Sequence, residues 1–151
     1  MIFNKTEKLG YAFLAIIFIF SLYLGFTNPE YFDNTFAAED KTVESGTAIM
    51  LLCVSLLCFF RLFTISKGKS LTWKIGVFLF ALLFFFGAGE EISWGQRIFG
   101  IESGDYFLQN NAQKETNLHN LVVGGKKINK IIFSQLLMVA MVVYLLVLPV
   151  L

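Results

Sequence analysis

The chain is poor in the residues that most often build soluble chemistry. Its 151 residues include one histidine, two cysteines and two prolines. A lone histidine, His119, leaves no room for a metal site with two or three imidazoles. The cysteines, Cys53 and Cys58, lie within one apolar run, and their spacing turns them about 140° apart on a helix. They read as small hydrophobic side chains, not as a disulfide or a metal pair. Proline is too scarce for a rigid proline-rich linker. Charge is scarce as well, at 15% of residues, and the net charge of +1 lacks the basic excess of a nucleic-acid-binding protein.

What is present is apolar. Hydrophobic residues make up 56% of the chain, and the charged ones gather between long runs instead of being interspersed through them. Runs such as FLAIIFIFSLYLGF and LLMVAMVVYLLVL are apolar all round, whereas a helix at a protein surface in water keeps a polar face. Four stretches, at about 9–26, 47–65, 75–98 and 131–151, have the roughly 20 residues needed to cross ~30 Å of hydrocarbon. The expected fold is all-α, a polytopic transmembrane bundle of four helices forming a single integral membrane domain over 1–151, with membrane lipid as its surroundings. Lys5 and Lys8 before the first run resemble the start of a secretory signal. That run is longer than a usual signal core, and the small residues Ala37 and Ala38 lie well past its end, so a retained helix is expected. The last span reaches Leu151 without the usual charged flank, which fits either a longer native chain or a terminus set at the interface.

Lysine and arginine near helix ends set orientation. Lys5 and Lys8 flank the first span, and Arg61, Lys67, Lys69 and Lys74 join the second to the third, which places both on the cytoplasmic side. The first link has one lysine against Glu30, Asp33, Glu39, Asp40 and Glu44, and its Tyr31, Phe32 and Phe36 suit an interfacial aromatic belt. With four crossings, both termini are then cytoplasmic. Arg97, Lys114, Lys126, Lys127 and Lys130 in the last link oppose that orientation. This link, from about 99 to 130, contains DYFLQNNAQKETNLHNLVV before Gly124-Gly125, and is expected to form a short amphipathic or re-entrant helical segment.

The stretch GAGEEISWGQR, which follows IGVFLFALLFFF, concentrates the polarity of the spans. Counted from Lys74, Glu90 would lie about 24 Å along a helix, still within the hydrocarbon, where an ionised carboxylate costs several kcal/mol unless it is paired, protonated or hydrated. A continuous helix would put Glu90, Ser93, Trp94 and Arg97 on one face and turn Glu91 toward Gly95 and Ile98. Glu90 and Arg97, two turns apart, would need partners elsewhere. The outer link offers Asn110, Asn111, Gln113, Glu115, Asn117, His119 and Asn120, while Gln135 is available from the fourth span. On a helix, Glu115 and His119 would share a face, as ligands of one divalent metal or as acid–base partners. A plainer reading places Glu90 and Glu91 at headgroup level, with Trp94 as an interfacial anchor.

The strings EEISWGQRIFGIES and NNAQKETNLHNLV resemble a signature of an uncharacterised family of small bacterial multi-pass membrane proteins, over about Gly89 to Val122. The resemblance implies a shared site and a bacterial inner membrane, and it implies no reaction. Glu90-Glu91, Arg97 and His119 are similar in type to the CAAX-protease-like family, although the arginine is displaced and a second histidine is missing. Glu91, Gln96, Arg97, Asp105 and Asn110 or Asn111 loosely resemble the order of polar residues in the VanZ-like family.

The expected function is therefore action on a lipid or lipid-linked substrate at the outer membrane boundary. Glu90, Glu91 and His119 would be catalytic; Arg97, Trp94, Gln96, Asn117 and Asn120 would bind substrate; Glu115 and His119 would hold a metal if one is used. The alternative is a small transporter, channel or accessory subunit, with a homo-oligomer or membrane-complex partner and a structural polar cluster. No nucleic-acid partner is expected.

Overall fold

The computed structural model describes residues 4–129, 131, 134, 135, 137–142 and 146. In chain order, the helices are α1 (Lys5–Thr27), α2 (Pro29–Tyr31), α3 (Thr42–Ile65), α4 (Leu71–Glu91), α5 (Gln96–Phe99) and α6 (Asp105–Asn110). The strands β1 (Val122–Val123) and β2 (Lys126–Lys127) and the helix α7 (Leu137–Val142) follow. Three of these helices, α1, α3 and α4, are long and apolar enough to cross a membrane. The expected fourth span, 131–151, falls mostly outside the described residues, and α7 is a short helical piece of it.

Contacts divide the chain into two compact units, Met1–Gly46 and Thr47–Leu151. In the first, Asn4 and Glu7 form a reciprocal capping box: the Glu7 N–H donates to Asn4 Oδ1 and the Asn4 N–H to Glu7 Oε2, each at 2.8 Å. The helix they start has 23 residues, about 35 Å, which exceeds the hydrocarbon thickness. Its hydroxyls turn inward, Ser21 Oγ donating to the Ile17 carbonyl and Thr27 Oγ1 to that of Tyr23, so neither leaves a polar atom unsatisfied in lipid. Asn28 ends α1 and caps α2, accepting from the Tyr31 N–H, with Pro29 at the first helical position where its missing N–H costs nothing. A wide π-turn over Phe32–Phe36 then folds back, and Phe36 meets Phe20 of α1 edge to face with ring centroids 5.7 Å apart.

In the second unit, α3 and α4 form an antiparallel hairpin with a narrow seam. The covered positions include Ala48, Leu51, Ser55, Phe59 and Leu62 on α3, and Val77, Ala81, Phe84 and Ala88 on α4. Steps of three and four keep one face toward the partner, the spacing of left-handed helix packing. Small residues sit where the backbones approach. Ser55 is fully buried and its Oγ donates to the Ala81 carbonyl at 2.8 Å. Phe59 and Phe78 meet edge to face on one side of this bond, and Leu51 Cδ1 lies 3.4 Å from the place of a Cβ on Gly87 on the other. Bulky residues such as Ile49, Leu56, Phe60, Phe63, Leu79 and Leu83 point outward. Apolar outside and small inside is the arrangement for lipid, where packing and interhelical hydrogen bonds replace the hydrophobic effect. Cys53 is exposed and Cys58 partly covered, and both are free thiols.

Ser70 caps α4 by accepting from the Trp73 N–H, and Lys69 Nζ stands 5.8 Å from the centre of the Trp73 ring. Such an aromatic–lysine pair suits a membrane interface. The other end corrects the sequence reading, because the third span stops at Glu91 and not at 98. Three consecutive residues beyond it have positive φ, and a right-handed helix cannot continue through them.

Candidate functional site

Ser93, Trp94 and Gly95 take φ values of 48°, 54° and 76°. The left-handed region suits Gly95, whereas each non-glycine residue there costs on the order of 1–3 kcal/mol and persists only when its surroundings hold it. Ser93 is held by its side chain, which donates to the Glu115 carboxylate and accepts from Asn117 Nδ2 at 2.7 Å. Trp94 is held by its indole, which folds back along α4. Its Nε1 donates to Glu90 Oε1 at 2.9 Å, and its ring meets Phe85 and Phe86 edge-on. The same ring lies 2.8 Å from where a Cβ on Gly89 would stand, so glycine is what lets the indole close over the helix.

Glu90 is 5% exposed and accepts three N–H donors. Besides Trp94 on Oε1, the backbone N–H groups of Leu118 and His119 donate to Oε2 at 2.6 and 3.1 Å. The loop following α6 therefore folds back onto the end of α4 and is pinned there by main-chain donors. These partners provide the compensation that a carboxylate buried at this depth requires.

The loop around those donors is a run of turns, which corrects the expectation that Glu115 and His119 share a helical face. Only Asp105–Asn110 is α-helical between α5 and β1. Asparagines organise the rest by imitating backbone groups. Asn111 Oδ1 accepts from the N–H groups of Gln113 and Glu115, and its Nδ2 donates to both the carbonyl and Oδ1 of Asn117. Asn117 Oδ1 also accepts from the Asn120 N–H, and Asn120 Nδ2 donates to Gln113 Oε1. Gly124 and Gly125 then close the β1–β2 hairpin with φ of 57° and 75°, as a two-residue type I′ turn demands.

Gln96 ties α5 to the same loop. Its Nε2 donates to Ser103 Oγ at 2.6 Å and its Oε1 accepts from the Thr116 N–H at 2.7 Å, while the Ser103 and Thr116 hydroxyls lie 3.1 Å apart. Arg97, on the next position of α5, brings its Nε to 3.5 Å from Glu115 Oε1, with its side chain 35% exposed against 13% for Glu115. Among the described residues, every buried side-chain nitrogen and oxygen has a hydrogen-bond partner.

Of the residues singled out in the sequence, Glu90, Trp94, Gln96, Arg97, Glu115, Asn117 and Asn120 join this network. Glu90 and Arg97 do so from separate segments, not from one helical face, because the left-handed turn divides them. His119 gives its main-chain N–H to Glu90, and its ring Nε2 faces Asn129 Nδ2 at 3.3 Å. Glu91 is half-buried at the last position of α4. Among the described residues, no three His, Cys, Asp or Glu side chains gather in a way that could hold a metal ion. Ser93, Ser103, Asn111 and Thr116 were not singled out as site residues. Asn111 could have been found as a turn-forming asparagine, but nothing in the sequence distinguishes Ser103 or Thr116 from ordinary loop hydroxyls.

Beside the network opens a groove of about 540 Å³, lined by Gln96, Arg97, Gly100, Ile101, Glu102, Ser103, Leu108, Lys114 and Glu115. Gln96, Arg97, Ser103 and Glu115 of the network are part of this lining, and Ile101 and Leu108 are its large apolar members. No protein-family model, curated protein or solved structure matches this chain.

Proposed function

We propose that this is an integral membrane protein that binds a lipid or lipid-linked molecule at the membrane boundary, on the polar site built between the end of α4 and the loop 111–121. The orientation expected from the first two links would put that site on the outer face, with both termini cytoplasmic. The observation that carries the proposal is Arg97, a guanidinium partly covered and paired with Glu115 on the wall of an open groove that adjoins a membrane-length helix. A rigidly backed arginine at such a boundary suits recognition of an anionic group.

Within this function Glu90 is a positioning residue. Its three N–H partners fix the loop that carries Glu115, and Glu115 in turn orients Arg97. Binding needs no acid–base step from Glu90, Glu91 or His119. The test is to purify the full chain in a mild non-ionic detergent and quantify co-purifying lipids by mass spectrometry. One lipid class should be retained at about one molecule per chain and lost in Arg97→Gln. Retention of no lipid by the wild-type protein would sink the proposal.

One observation favours a second reading. The complete internal pairing of buried polar atoms is what a purely structural cluster would show, as in an accessory subunit or small transporter. Specific capture of a membrane-protein partner, unaffected by Arg97→Gln, would support that reading instead.

A further inference from the structure

We propose that the groove beside Arg97 holds the phosphodiester of a membrane lipid headgroup, with the lipid's hydrocarbon chains leaving over Ile98, Phe99 and Ile101. This rests on the lipid-binding function proposed above and names the chemistry of its ligand. Two cations reach the groove from different directions, Arg97 from α5 and Lys114 from the loop. The guanidinium is a planar fork matched to phosphate oxygens, and the ammonium adds a mobile point charge.

Arg97 is also set in place before a ligand arrives. Its Nε faces Glu115 Oε1 at 3.5 Å, and the Glu115 carboxylate accepts from Ser93 Oγ and Asn117 Nδ2. Lys114 stands on a left-handed turn, φ 60°, whose preceding and following N–H groups both donate to Asn111 Oδ1. Neither cation's backbone therefore has to be ordered on binding, which removes part of the usual cost of association.

The chain that carries Arg97 continues into exposed apolar side chains, which favours a lipid over free phosphate as the ligand. Ile98, Phe99 and Ile101 are 70%, 73% and 59% exposed, and they follow directly on the end of a membrane-length helix. Contiguous side chains of this size belong against hydrocarbon. Ile101 is shared between these side chains and the groove, so a molecule with a phosphate at one end and alkyl chains at the other meets both surfaces at once. Glu102 and Glu115, on the same lining, match the two cations in number and so limit how much negative charge a ligand can bring. A singly charged phosphodiester fits better than a phosphomonoester.

The test uses the full chain in non-ionic detergent micelles doped with phosphatidylglycerol, phosphatidylethanolamine or the phosphate-free galactosyl diacylglycerol, read by native mass spectrometry. Both phospholipids should be retained about tenfold over the galactolipid. Arg97→Gln combined with Lys114→Gln should abolish that preference. Since Arg97→Gln also unpairs Glu115, circular dichroism must show an unchanged helix content. If it does not, Lys114→Gln alone and Leu108→Trp, which fills the groove without touching the network, carry the test, and each should lower phospholipid retention at least threefold. Equal retention of galactolipid and phospholipid overturns the phosphodiester assignment while leaving lipid binding intact. Retention of no lipid overturns both. Complete displacement of phospholipid by millimolar inorganic phosphate would mean that the site takes free phosphate, and would overturn the lipid assignment.

Discussion

The main-chain N–H of Leu118 donates to Glu90 Oε2 at 2.6 Å, joining the last turn of a membrane-length helix to a loop 28 residues further along the chain. A glutamate that reads from sequence as a misplaced charge thereby anchors the loop 111–121, together with Ser93 and Gln96. The adjacent His119 N–H shares the same oxygen, so two consecutive amides depend on one carboxylate.

Replacing that carboxylate should release the loop. In Glu90→Gln, one side-chain oxygen becomes an NH2 donor and must face either the Trp94 indole N–H or the two loop amides. Hydrogen bonds to a charged acceptor are worth about 1.5–3 kcal/mol each, so amide exchange at Leu118 and His119 should accelerate at least tenfold. Hydrogen exchange of the detergent-solubilised protein measures it, and unchanged protection at both amides would show that the anchor is elsewhere.

Asn117 is the centre of the loop's own network, bonded through its side chain to Ser93, Asn111 and the Asn120 N–H. Asn117→Ala leaves these groups short of partners in a buried place. A loss of about 2–4 kcal/mol is expected, with Asn117→Asp costing at least as much, because the oxygen that replaces Nδ2 cannot donate to Ser93 and faces the Glu115 carboxylate. Limited proteolysis within 111–121 should follow the same ranking.

Gly89→Val should displace Trp94. The first atom added meets the indole at 2.8 Å, and the ring has Phe85 and Phe86 behind it. Overpacking of this kind costs about 1–3 kcal/mol. In a Trp73→Phe background, the fluorescence then reports Trp94 alone and should shift measurably in Gly89→Val. An unchanged emission spectrum would place the indole away from the helix.

The α3–α4 seam makes a prediction whose two parts differ in size. Ser55→Ala removes one interhelical hydrogen bond and keeps the volume small, so it should cost only about 0.6 kcal/mol, the usual value inside a membrane bundle. Ser55→Leu forces a large side chain against the Ala81 backbone and should cost several times more by overpacking. Thermal melting in detergent ranks the two, and equal effects would contradict a tight seam at Ser55.

Much of the helical content was legible because lipid makes the pattern simple. Length and continuous apolarity identify α1, α3 and α4, and the caps at Asn4 and Ser70 mark two starts. The seam was less legible. With nearly every position apolar, periodicity vanishes, and only the placement of Ala48, Ser55, Ala81 and Ala88 hints at which face is inward. The end of α4 was misplaced because SWGQR has no proline and reads as helix, whereas tertiary bonds hold Ser93 and Trp94 in the left-handed region.

The sequence by itself determined that apolar helices form, α1, α3 and α4 among the four stretches of membrane length, and that polarity concentrates at the end of the third, because hydrocarbon-length runs and dense charge are local properties of the chain. It also pointed to QKETNLHN as the partner of GAGEEISWGQR. Only the tertiary structure decided how they meet: through main-chain amides on Glu90, hydroxyls and amides around Ser93, and a pair between Arg97, just past the left-handed turn, and Glu115 in the loop. Backbone N–H groups are present at almost every residue, so no residue type advertises which of them will face a buried carboxylate.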